Sequence, residues 1–517
     1  MEGLPNELLD KISEVMDSPK DLLALAMTSK MWCNLIIPNH LETRVVRAEG
    51  RRRVVWKFFA ENPRLAAHIH TVEIVLNGLT SKPILPTGLL AAYRIESNTL
   101  PQGLSNKTKK VVHQLRKALA NMVNLRSLDV YYESGYRDIF LSLAENPPRS
   151  LRELRLFMQH EYFQCHPEHK LCKQFTAFTG LSKVHITIYG TLSYHSAPYL
   201  TPLLDMFISG CPDLTDLGFV LYPGYNTPRF LKQGTWPRLK RLTLGSDMLP
   251  PLPPSYFGVV ADMEGIENRS YTRREKAEIM ARFLARHPQL EALKILESCA
   301  FLPECLTVDD VPSLKSFCLN SRNVDRVGYD KVAEGCFPLS QLLSPEVASQ
   351  LEYYEGWITD ECLPLLSRMI SLKTCVPWLP QFQLLGPFLA AVPHLKRICY
   401  TFTRSYDKNN TLWRYGDFIS EIPSQLTHWG RFPDISRSSY PLWPGTTTSK
   451  FETFEDVLRR LSKLKNLKYF QEPTPGGRDW VEILRDADGN YEGYQPTKDV
   501  DLLKHWGGFY ESMYWTF

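Results

Sequence analysis

Residues 125–130 read LRSLDV, and residues 151–156 read LRELRL. In both, an apolar residue is followed by two variable residues, a second apolar one, one variable residue and a third apolar one. Alternation over the last three residues is the signature of a strand with one buried face, and the leading leucine adds a buried position ahead of it. The theme returns at 69–74, 181–186, 214–219, 239–244, 290–295, 314–319 and 395–400. Degraded copies begin at Leu351, Leu372 and Leu426, and a partial one at Leu467. Clearer copies follow one another at about 24 to 33 residues, a spacing of one supersecondary unit per copy. Wider gaps around 77–124 and 246–289 imply an insertion or an unseen copy.

Proline often stands two residues ahead of the first leucine, as at Pro212, Pro237, Pro288, Pro312 and Pro393. There it ends a helix and lets the chain turn into the next strand. Helices are expected over 276–285, capped by Thr272 with Glu275 three residues on, and over 454–461. This alternation resembles the irregular repeats of F-box/leucine-rich-repeat proteins. The resemblance implies an α/β solenoid with parallel strands on the concave face and helices or loops on the convex face. The asparagine of many such repeats is mostly missing (positions 133, 159 and 189 hold Glu, Gln and Tyr), so uneven curvature is expected. A globular domain of alternating strands and helices is the competing fold.

Upstream, residues 4–38 read LPNELLDKISEVMDSPKDLLALAMTSKMWCNLIIP. Pro5 suits a first helical turn, where a missing N–H costs nothing. Leu8, Leu9, Ile12 and Val15 form a helical stripe. Ser18-Pro19-Lys20-Asp21 reads as a second helix start, followed by Leu22, Leu23 and Leu25; Ser29 caps a third helix carrying Trp32, Leu35 and Ile36, and Pro38 discourages its continuation. Helices this short cannot bury Leu4, Leu8, Leu9, Leu22, Leu23 and Trp32 among themselves, which predicts an interaction patch of several hundred Å². The stretch resembles the F-box: the leading Leu-Pro, the Glu-Leu-Leu, the Asp-Leu-Leu and the Lys30-x-Trp32 pair all match. The resemblance implies docking onto the Skp adaptor of a cullin-based SCF ubiquitin ligase, with its cullin and RING subunits. The residues it carries over are Leu4, Pro5, Leu8, Leu9, Ile12, Leu22, Leu23, Leu25 and Trp32. A plain N-terminal cap on an α-rich domain is the alternative.

The expected organisation is an F-box over 1–40, a basic linking helix over 41–65, the solenoid over 66–505 and an aromatic cap over 506–517. At 517 residues one ordinary core is too small, and 44% hydrophobic with 22% charged residues describes a folded chain. A net charge of +4 is too mild to argue for nucleic acid. No apolar run approaches the ~20 residues of a membrane span, and no secretory leader is evident. Eleven cysteines without framework spacing suit a reducing compartment, so a cytoplasmic or nuclear protein without glycosylation at Asn106, Asn268 or Asn409 is expected. The proline-rich stretch 246–262 reads as a lid-like insertion or a crossover.

The variable positions of the repeats hold Arg126, Arg152, Arg155, Lys183, Lys240, Arg241, Lys294, Lys315, Lys373, Lys396, Arg397 and Lys468. These twelve cations face seven acids, which predicts a basic concave surface and an acidic or phosphorylated target protein. The octet CHPEHKLC at 165–172 has metal-ligand residue types but lacks a second pair at finger spacing, so no metal or cofactor is expected there. No phosphate loop, GxSxG or HExxH occurs. The expectation is a non-catalytic substrate receptor. A non-degradative scaffold is one rival, and a metal-dependent enzyme using the octet is the other.

Overall fold

The computed structural model describes residues 5–16, 19–41, 43–75, 83–97, 105–131, 148–159, 178–189, 205–221, 227–245, 272–296, 305–320, 339–379, 384–399, 401–402, 424–430, 458–459, 461–471 and 480–497. The expected cap at 506–517, the octet at 165–172, the proline-rich stretch at 246–262 and Leu4 lie outside these residues, as does most of the helix expected over 454–461. The chain divides into two compact units. Unit 1 is Met1–Leu239 with Leu249–Arg269, and unit 2 is Lys240–Met248 with Ser270–Phe517.

Unit 1 begins with three short helices, α1 (Asn6–Val15), α2 (Pro19–Ala26) and α3 (Lys30–Ile36). The Ser29 side chain accepts from the Trp32 N–H at 3.3 Å and so caps α3. Pro38 does not end the helical path. The chain passes into a π-helical turn, Ile37–Leu41, where the wider turn accommodates the ring. Strand β1 (Val45–Glu49) follows, then α4 (Arg53–Glu61), α5 (Pro63–Ala67) and β2 (Thr71–Val75). The linking helix expected over 41–65 is thus the end of the π-helical turn, a strand, all of α4 and the start of α5. Val45 and Val46 favour the strand, and Thr43 and Ala48 stand buried where other copies have leucine-type residues. That substitution hid the first repeat. Helices α6 (Thr87–Ser97) and α7 (Ser105–Asn121) precede β3 (Ser127–Tyr131), β4 (Glu153–Gln159), β5 (Lys183–Tyr189) and β6 (Asp216–Leu221). All six strands pair in parallel in chain order.

Unit 2 carries β7 (Arg241–Gly245), β8 (Ala292–Leu296), β9 (Ser316–Asn320), β10 (Tyr353–Trp357), β11 (Thr374–Leu379), β12 (Arg397–Cys399), β13 (Thr401–Phe402), β14 (His428–Gly430) and β15 (Tyr469–Gln471). These pair in parallel, with β12 and β13 both on β11 and β14 on β12. The last two strands break the pattern. β16 (Trp480–Arg485) and β17 (Tyr491–Pro496) are antiparallel, so the solenoid of parallel strands expected up to residue 505 ends in a hairpin. The helix Arg273–Ala285 starts at Thr272, whose capping box with Glu275 is formed as its sequence predicts.

The repeat geometry is uniform in each unit. The first, fourth and sixth residues point into the core, as Leu125, Leu128 and Val130 do, each at most 1% exposed. Burying each such side chain contributes about 1.5–3 kcal/mol before entropy is counted. The carbonyl of the second residue accepts from two successive N–H groups of the next repeat. Arg152 O, for instance, takes Ser182 N at 2.8 Å and Lys183 N at 3.0 Å. Arg44, His70, Arg126 and Ser182 do the same in unit 1, and Lys240, Glu291, Lys315, Glu352, Lys373, Lys396 and Thr427 in unit 2. Backbone groups make this joint at every repeat, with a hydroxyl of Ser182, Thr215 or Thr427 adding a bond to the same carbonyl at three of them, so the second residue's own side chain is free to vary.

The copies that look degraded in sequence keep this register. Tyr354, Cys375 and Trp429 fill the fourth position and are buried. The Tyr354 ring extends over Gly356, where a β-carbon would lie 2.6 Å from the phenol oxygen. One large residue therefore occupies the space of two. The Tyr354 hydroxyl is satisfied by donating to Trp357 O at 3.1 Å. No helix among the described residues is long and apolar enough to cross a membrane.

Candidate interaction surface

The three N-terminal helices sort their apolar residues into an inside and an outside. Leu9, Leu22, Ala26, Trp32 and Ile36 close a core of their own, with Met16, Leu25, Met31, Leu35, Ile37 and Leu41 packed at its margin. On α1 the residues at i, i+4 and i+7 stay outside: Leu8 is 48% exposed, Ile12 39% and Val15 75%. On and just beyond α2, Leu23 is 46% and Met27 80% exposed, again at i, i+4 spacing. The predicted patch is therefore divided. Leu9, Leu22 and Trp32 hold the helices together and Leu25 is half-buried, whereas Leu8, Ile12 and Leu23 face solvent. Pro5 is exposed at the N-cap of α1, one position earlier than expected, and its carbonyl accepts from Leu8 N and Leu9 N. Val15 and Met27 extend the exposed set. Val15 sits on the helical stripe already read from the sequence, and Met27, just past α2, was not singled out there; nothing in the spacing says which edge of a stripe another helix covers.

In unit 1 the third and fifth residues of each repeat line up across strands. One column runs Thr71, Ser127, Glu153, Lys183 and Asp216; the next runs Arg47, Glu73, Asp129, Arg155, His185 and Gly218. Neighbouring strands neutralise one another along these columns. Arg47 pairs with Glu73, Lys183 with Glu153, Arg155 with Asp129 at 3.5 Å, and His185 Nε2 with Asp216 Oδ1 at 2.9 Å. Gly218 makes the last contact possible, since any β-carbon there would collide with the His185 ring. Burial pushes the Asp129 carboxyl up to about 6, against the pull of Arg155, and Glu73 and Glu153 push the same way. One Asp129 oxygen finds no hydrogen-bond partner among the described residues.

These pairings correct the predicted basic surface. Across the two columns four carboxylates face Arg47, Arg155 and Lys183, so unit 1 has no cationic excess there. Lys240 is held by Glu291 at 3.0 Å and Lys373 by Glu352 at 2.6 Å. Lys294 is buried. Arg126, Arg152, Lys315, Lys396 and Lys468 occupy the second position, at the joint between repeats and outside the aligned columns; the Arg152 guanidinium turns back onto Arg149 O and Leu151 O. Arg241 and Arg397 begin their strands, and burial lowers the pKa of Arg397. Counting charge by position in a motif merged two rows that differ in direction.

In unit 2 the same columns change character along the array. One runs Arg241, Ala292, Ser316, Tyr353, Thr374, Arg397, His428 and Tyr469; the other runs Thr243, Lys294, Cys318, Glu355 and Val376 and continues as Cys399 and Gly430 in β12 and β14, so aromatic and apolar groups gather toward the last strands. Trp480, delivered by the antiparallel β16, packs with Val376 against Tyr353, Cys399 and Tyr469. A β-carbon on Gly430 would come within 3.0 Å of both the Trp480 ring and Cys399 Sγ. The Tyr353 hydroxyl donates to Glu355 at 2.9 Å, and burial beside that carboxylate holds the phenol well above its ordinary range. Arg485 closes the end of the array by donating to Leu464 O and Leu467 O at 2.9 and 3.1 Å.

No protein-family profile matches the chain, and no curated protein does. Among solved structures it is similar to a chain in the crystal structure of the Rad7 and Elc1 complex in yeast, at 15% identity and a TM-score of 0.34. That likeness covers 66% of this chain and 77% of the other. A score this low carries no argument about fold or role.

Proposed function

We propose that this chain is the substrate-recognition subunit of an SCF-type ubiquitin ligase. Its N-terminal helices seat on a Skp adaptor, and its repeat units hold a target protein near the charged conjugating enzyme. The polypeptide itself supplies no catalysis in this reading; proximity does. The observation that carries it is the outward apolar stripe of Leu8, Ile12 and Val15, with Leu23 and Met27, on helices that already possess a closed core. Large apolar side chains left out of a complete core are what a docking surface requires. The order of motifs in residues 4–38 supports the adaptor as the partner. The paired charges of unit 1 remove the reason to expect a uniformly acidic or phosphorylated target.

The test is capture of a purified Skp adaptor by the full chain, comparing wild type with Leu8→Asp/Ile12→Asp. Both positions are exposed, so the variant keeps its fold, and losing two apolar anchors costs about 2 kcal/mol or more each. Leu9 is left alone because its loss would open the helical core. Wild-type binding abolished in the variant supports the reading, and recovery of a cullin with the adaptor completes it. A folded wild-type chain that ignores the adaptor overturns it, and adaptor binding without a cullin favours a non-degradative scaffold.

A further inference from the structure

Three side chains distant in sequence converge beneath the N-terminal helices. Asp10 lies on α1, His40 in the π-helical turn, and His68 is the residue that closes α5. His40 is almost wholly buried, and its Nε2 lies 2.7 Å from Asp10 Oδ1. The His68 ring meets the His40 ring edge-on, with centroids 4.8 Å apart. No hydrogen bond is seen to the His68 side chain among the described residues, so its ring nitrogens are held there by ring packing alone. One ligand atom from each residue can be chosen so that all three lie within 4.8 Å of one another.

We propose that Asp10, His40 and His68 bind a divalent transition metal ion, with zinc the best fit. Two imidazoles and one carboxylate are the donor set zinc accepts, at bond lengths of about 2.0–2.2 Å. Tetrahedral ligands at that distance stand about 3.4 Å apart, so binding opens the 2.7 Å contact between His40 and Asp10 and draws the His68 ligand atom in from at most 4.8 Å. Three protein ligands leave a fourth position for water or a partner's side chain. Calcium and magnesium are disfavoured because they take oxygen ligands. Shared by α1, the π turn and the end of α5, the ion fastens the N-terminal helices to the first repeat. A π-helical turn is a recurrent place for such a residue, because it turns one side chain out of the ordinary helical row. This site is independent of the adaptor-binding proposal, since none of its ligands belongs to the exposed stripe.

The test uses the full chain stripped with chelator and titrated with Zn²⁺, and separately with Co²⁺, whose visible d–d bands report a low-coordinate nitrogen and oxygen site. Wild type is compared with His68→Ala and with Asp10→Asn. The first removes a ligand that makes no hydrogen bond, and the second keeps a partner for His40 but loses the anion. The expected result is about one equivalent bound by wild type and a fall in affinity for each variant exceeding the roughly 10–100-fold typical of losing a supporting residue. Zinc should raise the melting temperature of wild type alone, while the metal-free proteins melt together. Because the chain has other cysteines and histidines, the difference between proteins is the readout. Wild-type affinity retained by either folded variant, or no binding by wild type, overturns the proposal.

Discussion

In unit 1 the third and fifth residues of successive repeats meet as Glu153 with Lys183, Asp129 with Arg155 and Asp216 with His185. In unit 2 those positions bring together Tyr353, Val376, Cys399 and Tyr469 under the ring of Trp480. The backbone joint is identical in both, with one carbonyl gripping two N–H groups of the next repeat. The face of such an array is therefore set by side chains that the joint does not constrain. Unit 1 spends its face on charge compensation and the last strands of unit 2 on aromatic and apolar burial, and glycine enables each, Gly218 for the His185 ring and Gly430 for Trp480.

The sharpest way to break this contrast is Trp480→Ala. Removing a buried indole costs about 3–5 kcal/mol. Chemical denaturation followed by hydrogen exchange should show β11, β14 and β15 losing protection while β3 to β5 keep theirs. Equal loss in both sets would mean that Trp480 does not belong to unit 2 alone.

The second contrast is in pH. Asp129 titrates at about 6 in the folded chain against an ordinary 3.8, so the folded state binds its proton more tightly. Stability from this site is greatest in acid and falls as pH rises from about 4 to 6, by at most about 3 kcal/mol. His287 in unit 2 behaves oppositely. It is buried, its Nδ1 lies 2.7 Å from Phe283 O, and burial lowers it from 6.5 to about 4. Its contribution is complete above 6.5 and is lost, by about 3 kcal/mol at most, as pH falls toward 4. Asp129→Asn should therefore stabilise the chain at pH 8 and lose that advantage near pH 4. A variant equally stable relative to wild type at both values would refute the raised carboxyl.

Smaller effects sharpen the glycine argument. Gly218→Ala should expel His185 from Asp216 and cost about 1–3 kcal/mol through overpacking. The shift of the His185 ring resonances would verify it. Smallest of all, Lys240→Gln, which breaks an exposed pair with Glu291, should change stability by less than about 1 kcal/mol. A larger value in urea titration would show that the charge rows matter to the fold.

Much of this architecture is legible before any coordinates. The parallel strands follow from the three apolar positions, and the helix from 273 onward from Thr272 and Glu275. What escaped detection did so for identifiable reasons. The first repeat uses Thr43 and Ala48 where pattern reading seeks large aliphatics, and β10 lets Tyr354 fill the place of its partner at Gly356. The terminal hairpin has no leucine theme at all, so its antiparallel sense was invisible. The division of the N-terminal stripe into core and surface depends on which helix lies over which edge, and that is a tertiary fact.

The two-donor carbonyl has a mechanical consequence. In unit 1 the strands β1 to β6 are tied to their immediate neighbours through short, evenly spaced pairings, whereas in unit 2 Trp480 also reaches across several repeats. A pull applied to an end repeat of unit 1 loads one interface at a time, and the break leaves the next repeat intact with a fresh edge. Resistance should come as a train of modest, similar events instead of a single large one. A chain built this way tolerates local damage by shedding terminal repeats while its interior stays in register.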